Sequence, residues 1–323
     1  MSYIHEVKNF LIENAYCEEE IRILEDTIRR IVNSDAVHIL DDLVNAYCKD
    51  ERIDPEKLRS ESSKMAYMIK EHEYTVIFVI YCVLVQKLKC IYSEKGFDEE
   101  LYSGVARDLR AKFDECKAVK NIYGTFSVFW FDRYLNFEIF AIGRLQFQFK
   151  PMPVHYEKDG ICIRKGDLAI ALHIPSGCRL EERDVLFSIE RAKAFFVEKM
   201  SFVPKHFFCT TYLFHPAMTS LYKQDSNLYK FCRLFDIFYS SSDHPNSDVW
   251  RIFSCDCDDY TQLPEKTSLQ RSLKSYLING GQVGVGIGVL KKEYMMGSPF
   301  RLQHVNSDML QESFDNSIRH MVK

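Results

Sequence analysis

The sequence predicts an α+β protein, with a helical N-terminal domain over residues 1–123 and a mixed β-sheet flanked by helices over 124–323. Three observations carry this reading. Residues 1–123 hold only two of the 13 glycines (Gly96, Gly104) and one of the nine prolines (Pro55). Apolar residues there recur three and four apart, as at Ile21, Leu24, Ile28 and Ile31, which is the period of one helical face. From about residue 124 the period drops to two, and turns rich in Gly and Pro punctuate the chain.

Helices are expected near 3–15, 18–33, 36–48, 55–71, 74–94 and 98–120. The longest apolar run, VIFVIYCVLV at 76–85, is half of the roughly 20 residues a membrane span needs and reads as a buried helix. FEIFAIGRLQFQF, 137–149, alternates apolar residues against Arg144, Gln146 and Gln148, as a strand with one buried face does. Turn signals at Asp159-Gly160 and Lys165-Gly166-Asp167 bracket a short strand, ICIR, at 161–164. LAIALHI, 168–174, is apolar on both faces and should be central in its sheet. The helix that follows presents Val185, Ile189, Ala192 and Phe196 as one core stripe.

HFFCTTYLFHP, 206–216, is aromatic and β-branched and reads as a strand. A helix is expected over about 217–240 and a strand, VWRIFS, at 249–254. Thr267 and Gln270 form a capping box for a helix that ends at Gly280-Gly281. QVGVGIGVL, 282–290, closes the domain as a strand; its alternating glycines follow a helix, so they admit a close neighbour rather than bind a dinucleotide.

Composition narrows the function. At 46% hydrophobic and 14% aromatic residues the chain can build a sizeable core. A formal net charge of −4 argues against a binder that neutralises a nucleic-acid backbone. Eleven cysteines without a regular pattern fit a reducing compartment. Residues 1–20 carry Glu6, Glu13, Glu18, Glu19 and Glu20 and no apolar segment, so no signal peptide is expected. The expectation is a soluble cytoplasmic protein with no nucleic-acid or membrane partner. No metal is expected either, because Cys255-Asp256-Cys257 has no second pair at zinc spacing.

The stretches GRLQFQ (143–148), HIPSG (173–177), SIERAKAFF (188–196), CTTYLFHPAM (209–218), DSNLYKF (225–231) and LPEKTSLQRSL (263–273) together resemble a bacterial acyltransferase family. Its members join a helical N-acyltransferase N-terminal domain to a GNAT-like C-terminal domain. Three departures stand out: one glycine in HIPSGCRL where the superfamily has two, His215 where the family has Asp before the proline, and a capped helix between the last two strands.

The resemblance implies a fold in which two central strands splay and an acyl-CoA, acetyl-CoA or another, lies in the gap. Leu172 and Ile174 would then contact pantetheine through the backbone. Ser176, Gly177, Cys178 and Arg179 would hold the pyrophosphate at a helix N-terminus, where the macrodipole favours an anion. Gly177 permits close approach, and Arg179 adds a bidentate phosphate donor. Glu181 and Glu182 in the first turn oppose an anion, so an ordinary βα turn stands beside this reading. Asn227 resembles a cofactor contact and equally reads as a helix cap.

For catalysis the candidates are His173 as general base and Tyr229 as the acid that protonates the leaving thiolate. His173 also reads as a hydrogen-bonded core residue, and Tyr222 and Tyr229 are both out of phase with the superfamily's acid. Cys209 suits an acyl-enzyme nucleophile or a small buried hydrophobe. Two functions remain open: an N-acyltransferase acting on a small-molecule or peptide amine, or a GNAT-like fold without catalysis that binds acyl-CoA or a small ligand as sensor or scaffold.

Overall fold

The stretch poor in Gly and Pro folds as a run of helices: α1 (Ser2–Glu13), α2 (Glu18–Val32), α3 (Ala36–Asp50), α4 (Pro55–Ile69), α5 (Glu73–Glu94), α6 (Glu99–Lys120) and α7 (Val128–Leu135). The computed structural model describes residues 2–295; the expected end of the second domain at 323 lies outside them. Local chemistry sets the helix ends. Pro55 opens α4 while the Asp54 carboxylate accepts from the backbone N–H groups of Glu56 and Lys57. Helices α3, α4 and α6 stop at the left-handed residues Glu51, Lys70 and Asn121.

Helix α5 is the axis of this helical unit. Every side chain from Val76 to Val85 is at most 2% exposed, because α5 packs against α1, α2, α3, α4, α6 and α7. Among the described residues it is the one helix long and apolar enough to cross a membrane, but most of that apolar window is buried inside the protein.

Contacts divide the chain in two. The helical unit comprises Met1–Ala141, Pro175–Gly177 and Phe253–Asp258, and the sheet unit comprises Ile142–Ile174, Cys178–Ile252 and the chain from Asp259. The second half of the chain contributes β1 (Ile139–Ile142), β2 (Leu145–Pro151), β3 (Tyr156–Lys158), β4 (Ile161–Ile163), β5 (Leu168–His173), α8 (Glu182–Met200), β6 (Phe207–Thr211), α9 (Pro216–Thr219), α10 (Asn227–Arg233), β7 (Phe235–Ser241), α11 (Trp250–Phe253), α12 (Ser268–Ile278), β8 (Val285–Leu290) and α13 (Lys292–Met295). The main sheet has the order β1-β2-β5-β6-β8-β7, and β3-β4 is a separate ribbon. β5 lies in the interior as expected, and the stripe Val185, Ile189, Ala192 and Phe196 on α8 is fully buried. Thr267 and Gln270 make the expected capping box of α12.

Four elements differ from the sequence reading. The stretch 137–149 is two strands, β1 and β2, broken at Gly143-Arg144. Gly143 has φ +64°, and a Cβ there would sit 2.5 Å from Ser188 Oγ on α8, so both backbone and space require glycine. Nor is only one face of β2 buried: Gln146 and Gln148 are 2% and 7% exposed. The strand expected over 206–216 ends at Thr211 and continues as a 3₁₀ turn, Tyr212–Phe214. That turn crosses β8 at Gly286, where a Cβ would lie 2.6 Å from the Phe214 carbonyl carbon. The alternating glycines thus admit a neighbouring backbone.

The helix expected over 217–240 is confined to α9 and α10, and 235–241 is strand β7. Its ladder with β8 outweighs the helical pattern, running from Phe235 opposite Leu290 to Ser241 opposite Val285. The strand expected at 249–254 is the helical turn α11. Asp248 draws that turn together by accepting from the Arg251 backbone N–H and from its Nε. Gln270 Nε2 donates to the Ile252 carbonyl, a group that a strand would have used for its ladder.

Candidate functional site

The parallel junction of β5 and β6 is short. Its register comprises Ile170 opposite Phe207 and Ala171 opposite Phe208, although β5 continues to His173 and β6 to Thr211. Over those last residues each strand stays laddered on its outer side. Leu172 and His173 pair with Phe147 and Gln146 of β2, and Cys209 to Thr211 pair with Gly288 to Gly286 of β8. The sheet therefore opens into a wedge between Leu172-His173 on one side and Cys209-Thr210-Thr211 on the other. A strand edge at such a wedge can offer backbone N–H and C=O groups to an extended ligand.

From the mouth of the wedge the chain runs through Ile174–Leu180 into α8. Gly177 has φ +71° and open space where a Cβ would stand, as a backbone that closely approaches a ligand needs. Arg179 is exposed, with no salt bridge among the described residues. The N-cap of α8, Glu181, makes no side-chain cap, so its carboxylate does not take the first-turn N–H groups. Against an anion stand Glu182 and Asp184 in that turn. The Ser176 hydroxyl is engaged by the Glu115 carboxylate. Cys178 is no nucleophile here: it donates to the Arg144 carbonyl at 3.2 Å, and burial pushes its thiol up to about 11. Arg144 lies on the tip between β1 and β2, 3.9 Å from Asp184.

His173 is half-buried at the end of β5, and its Nε2 lies 3.0 Å from Gln148 Oε1. With the amide oxygen turned to the ring, the contact suits the tautomer that carries its proton on Nε2. The β2–β5 register places Gln146 opposite His173 and Gln148 opposite Ala171, on one face of the sheet. These two glutamines were missed as site residues. Their signal was the repetition of amides along GRLQFQ, read as a solvated face although both are buried.

Asn227 is the first residue of α10 and exposed. The cap is its neighbour Ser226, whose Oγ accepts from the Tyr229 N–H, so the capping reading of Asn227 is corrected. Tyr229 is half-buried, whereas Tyr222 donates to the Leu213 carbonyl at 3.0 Å and burial raises its pKa. Cys209 is 1% exposed and burial drives its thiol far up, so it packs as a small hydrophobe. His215 does the work of a capping Asp: its Nδ1 accepts from the Ala217 N–H with Pro216 opening α9, and burial lowers the pKa of the ring.

Residues 139–290 match the family described as GNAT-like C-terminal domain. That segment is a GNAT-like domain, a sheet opened between two parallel strands with a loop and helix at the opening. No curated protein matches the chain at a significant level. Solved structures do. An acyltransferase mutant in complex with octanoyl-CoA aligns at TM-score 0.65 and 18% identity, covering 89% of this chain and 88% of that one. An acyltransferase in complex with decanoyl-CoA and teicoplanin aligns at TM-score 0.59 and 16% identity, over 88% and 99% of the two chains. A third, in complex with CoA and 10C-teicoplanin, aligns at 0.58 and 16% over the same shares. At such identities the likeness is one of fold.

Proposed function

We propose that the chain is an acyl-CoA-dependent N-acyltransferase that takes the thioester into the wedge between β5 and β6 and passes its acyl group to an amine. The observation that carries this is the β5–β6 register, which stops after two pairs while both strands continue. The likeness in fold to acyltransferases that hold octanoyl-CoA and decanoyl-CoA supports it. In this reading the backbone from Leu172 to Ile174 flanks the pantetheine. The amides of Ser176, Gly177 and Cys178, with the Arg179 guanidinium, face the pyrophosphate, and Asn227 contacts the cosubstrate from α10.

The chemistry asks little of the protein. The amine nitrogen attacks the thioester carbonyl, a C–N bond forms, and collapse of the tetrahedral intermediate breaks the C–S bond. His173 Nδ1 takes the proton that the amine loses, and Gln148 holds the ring in the tautomer that allows it. Tyr229 donates a proton to the departing CoA thiolate. The acceptor is a small-molecule or peptide amine, and acetyl-CoA stands beside octanoyl- and decanoyl-CoA as donor.

A second reading, binding of an acyl-CoA without transfer, is favoured by one observation: Glu182 and Asp184 crowd the α8 N-terminus and Glu115 occupies Ser176. Thiol-reactive detection of CoA release separates the two, run with acetyl-, octanoyl- and decanoyl-CoA against a panel of amines and peptides. The transferase reading expects release that depends on an amine. Saturable binding of all three donors with no release above hydrolysis would favour the second.

A further inference from the structure

Strands β3 and β4 form an antiparallel hairpin closed by Asp159 and Gly160, both left-handed at φ 51° and 77°. Its register is Tyr156 opposite Ile163, Glu157 opposite Cys162 and Lys158 opposite Ile161. One face of the hairpin is held down. Tyr156 and Ile163 are buried in a cluster with Ala169, Ala171 and Phe208. Tyr156 also donates to the Asp236 carboxylate at 3.0 Å, and Lys158 pairs with that carboxylate at 2.7 Å.

Alternation along a strand puts Glu157 and Cys162 on the opposite face, together with His155 two residues before Glu157. There the ligating atoms of His155, Glu157 and Cys162 all lie within 4.8 Å of one another, and His155 Nε2 is 3.4 Å from Glu157 Oε2. A tetrahedral zinc ion with arms of about 2.0–2.3 Å separates its ligand atoms by roughly 3.3–3.8 Å. Side-chain rotation alone closes the remaining gap, because the hairpin register already fixes the backbones.

We propose that His155, Glu157 and Cys162 form a binding site for a divalent transition metal, with zinc the ion their donors suit best. Imidazole and thiolate select against calcium and magnesium, which take oxygen ligands. As the Zn–S bond forms the Cys162 thiol releases its proton to solvent, and the fourth position stays open to water. The ion would staple β3 to β4 on the face opposite Ala169 and Ala171. The expectation of no metal came from the Cys255-Asp256-Cys257 stretch; this site uses other residues, gathered by a turn. It does not depend on the acyltransferase reading.

The test is titration of the reduced full-length chain with Co²⁺, followed by absorbance and then displacement with Zn²⁺. A thiolate-to-cobalt charge-transfer band with tetrahedral visible bands is expected, saturating at one ion per chain. Cys162→Ser should abolish the charge-transfer band. His155→Ala and Glu157→Gln should each weaken binding by at least the roughly 10–100-fold that loss of an outer partner costs. All three side chains are exposed, so the variants should keep the far-UV circular dichroism of the parent; if Cys162→Ser does not fold, His155→Ala carries the same test. No band up to millimolar Co²⁺ would overturn the proposal. So would a band undiminished in Cys162→Ser or His155→Ala, which would place the metal on other cysteines.

Discussion

His173 and Gln148 meet across neighbouring strands, and their 3.0 Å contact orients the imidazole at the end of β5. If His173 is the general base, His173→Ala should lower turnover about 10²–10⁴-fold while leaving CoA binding near normal. Paired measurements of amine-dependent CoA release and thermal melting separate chemistry from packing. A folded His173→Ala variant with near-normal turnover would remove His173 from the mechanism. The histidine was legible in the sequence because it ends an apolar strand just before a loop and helix. Gln148 was not, since a polar residue alternating with apolar ones is the usual mark of a solvated strand face, whereas here it is buried opposite Ala171 of β5.

At the scale of elements, helices α1 to α6 were read in position because their apolar period is regular, although the helical unit itself runs on to Ala141 and takes in 175–177 and 253–258. The exception is α7, an eight-residue helix just after Gly124, which was not read. It brings Asp132 to Tyr81 of α5 and towards Arg59 of α4. Tyr81 donates to Asp132 Oδ1 at 2.9 Å, whereas Arg59 stands 3.8 Å from Oδ2, too far for a hydrogen bond. Burial is the largest influence and pushes this carboxyl up to about 6; Glu138 adds to the rise, and Tyr81, Arg59 and Arg133 oppose it.

The sign follows from the unfolded value near 4: the folded state prefers the protonated acid. Its contribution to stability is therefore full below about pH 4 and is lost as pH rises through about 6, a difference of about 3 kcal/mol. Asp132→Asn keeps an acceptor for Tyr81 and removes the titration. Urea unfolding of both proteins at pH 4 and pH 7 should show the variant gaining on the parent at pH 7. Equal pH dependence in the two would refute this account of Asp132. In the sheet unit the misread elements have one cause in common. Stretches such as 235–241 and 249–254 are short and rich in aromatic residues, and the partner available in space, β8 for the first and the Gln270 amide for the second, chooses between strand and turn.

For the whole molecule, the partition into helices and then sheet was visible in where glycine and proline fall. Strand order was not visible, because β8 joins the sheet between β6 and β7 from a position more than forty residues after β7, and no local pattern announces that pairing. The wedge that results from this order, with β5 tied to β2 and β6 tied to β8, is the proposed seat of the thioester. Calorimetric titration of the full-length chain with octanoyl-CoA tests it most directly. Saturable binding of one molecule per chain is predicted, weakened by about 1–3 kcal/mol in Arg179→Ala if that arginine holds a phosphate. Absence of any binding heat with the parent protein at millimolar octanoyl-CoA would contradict it.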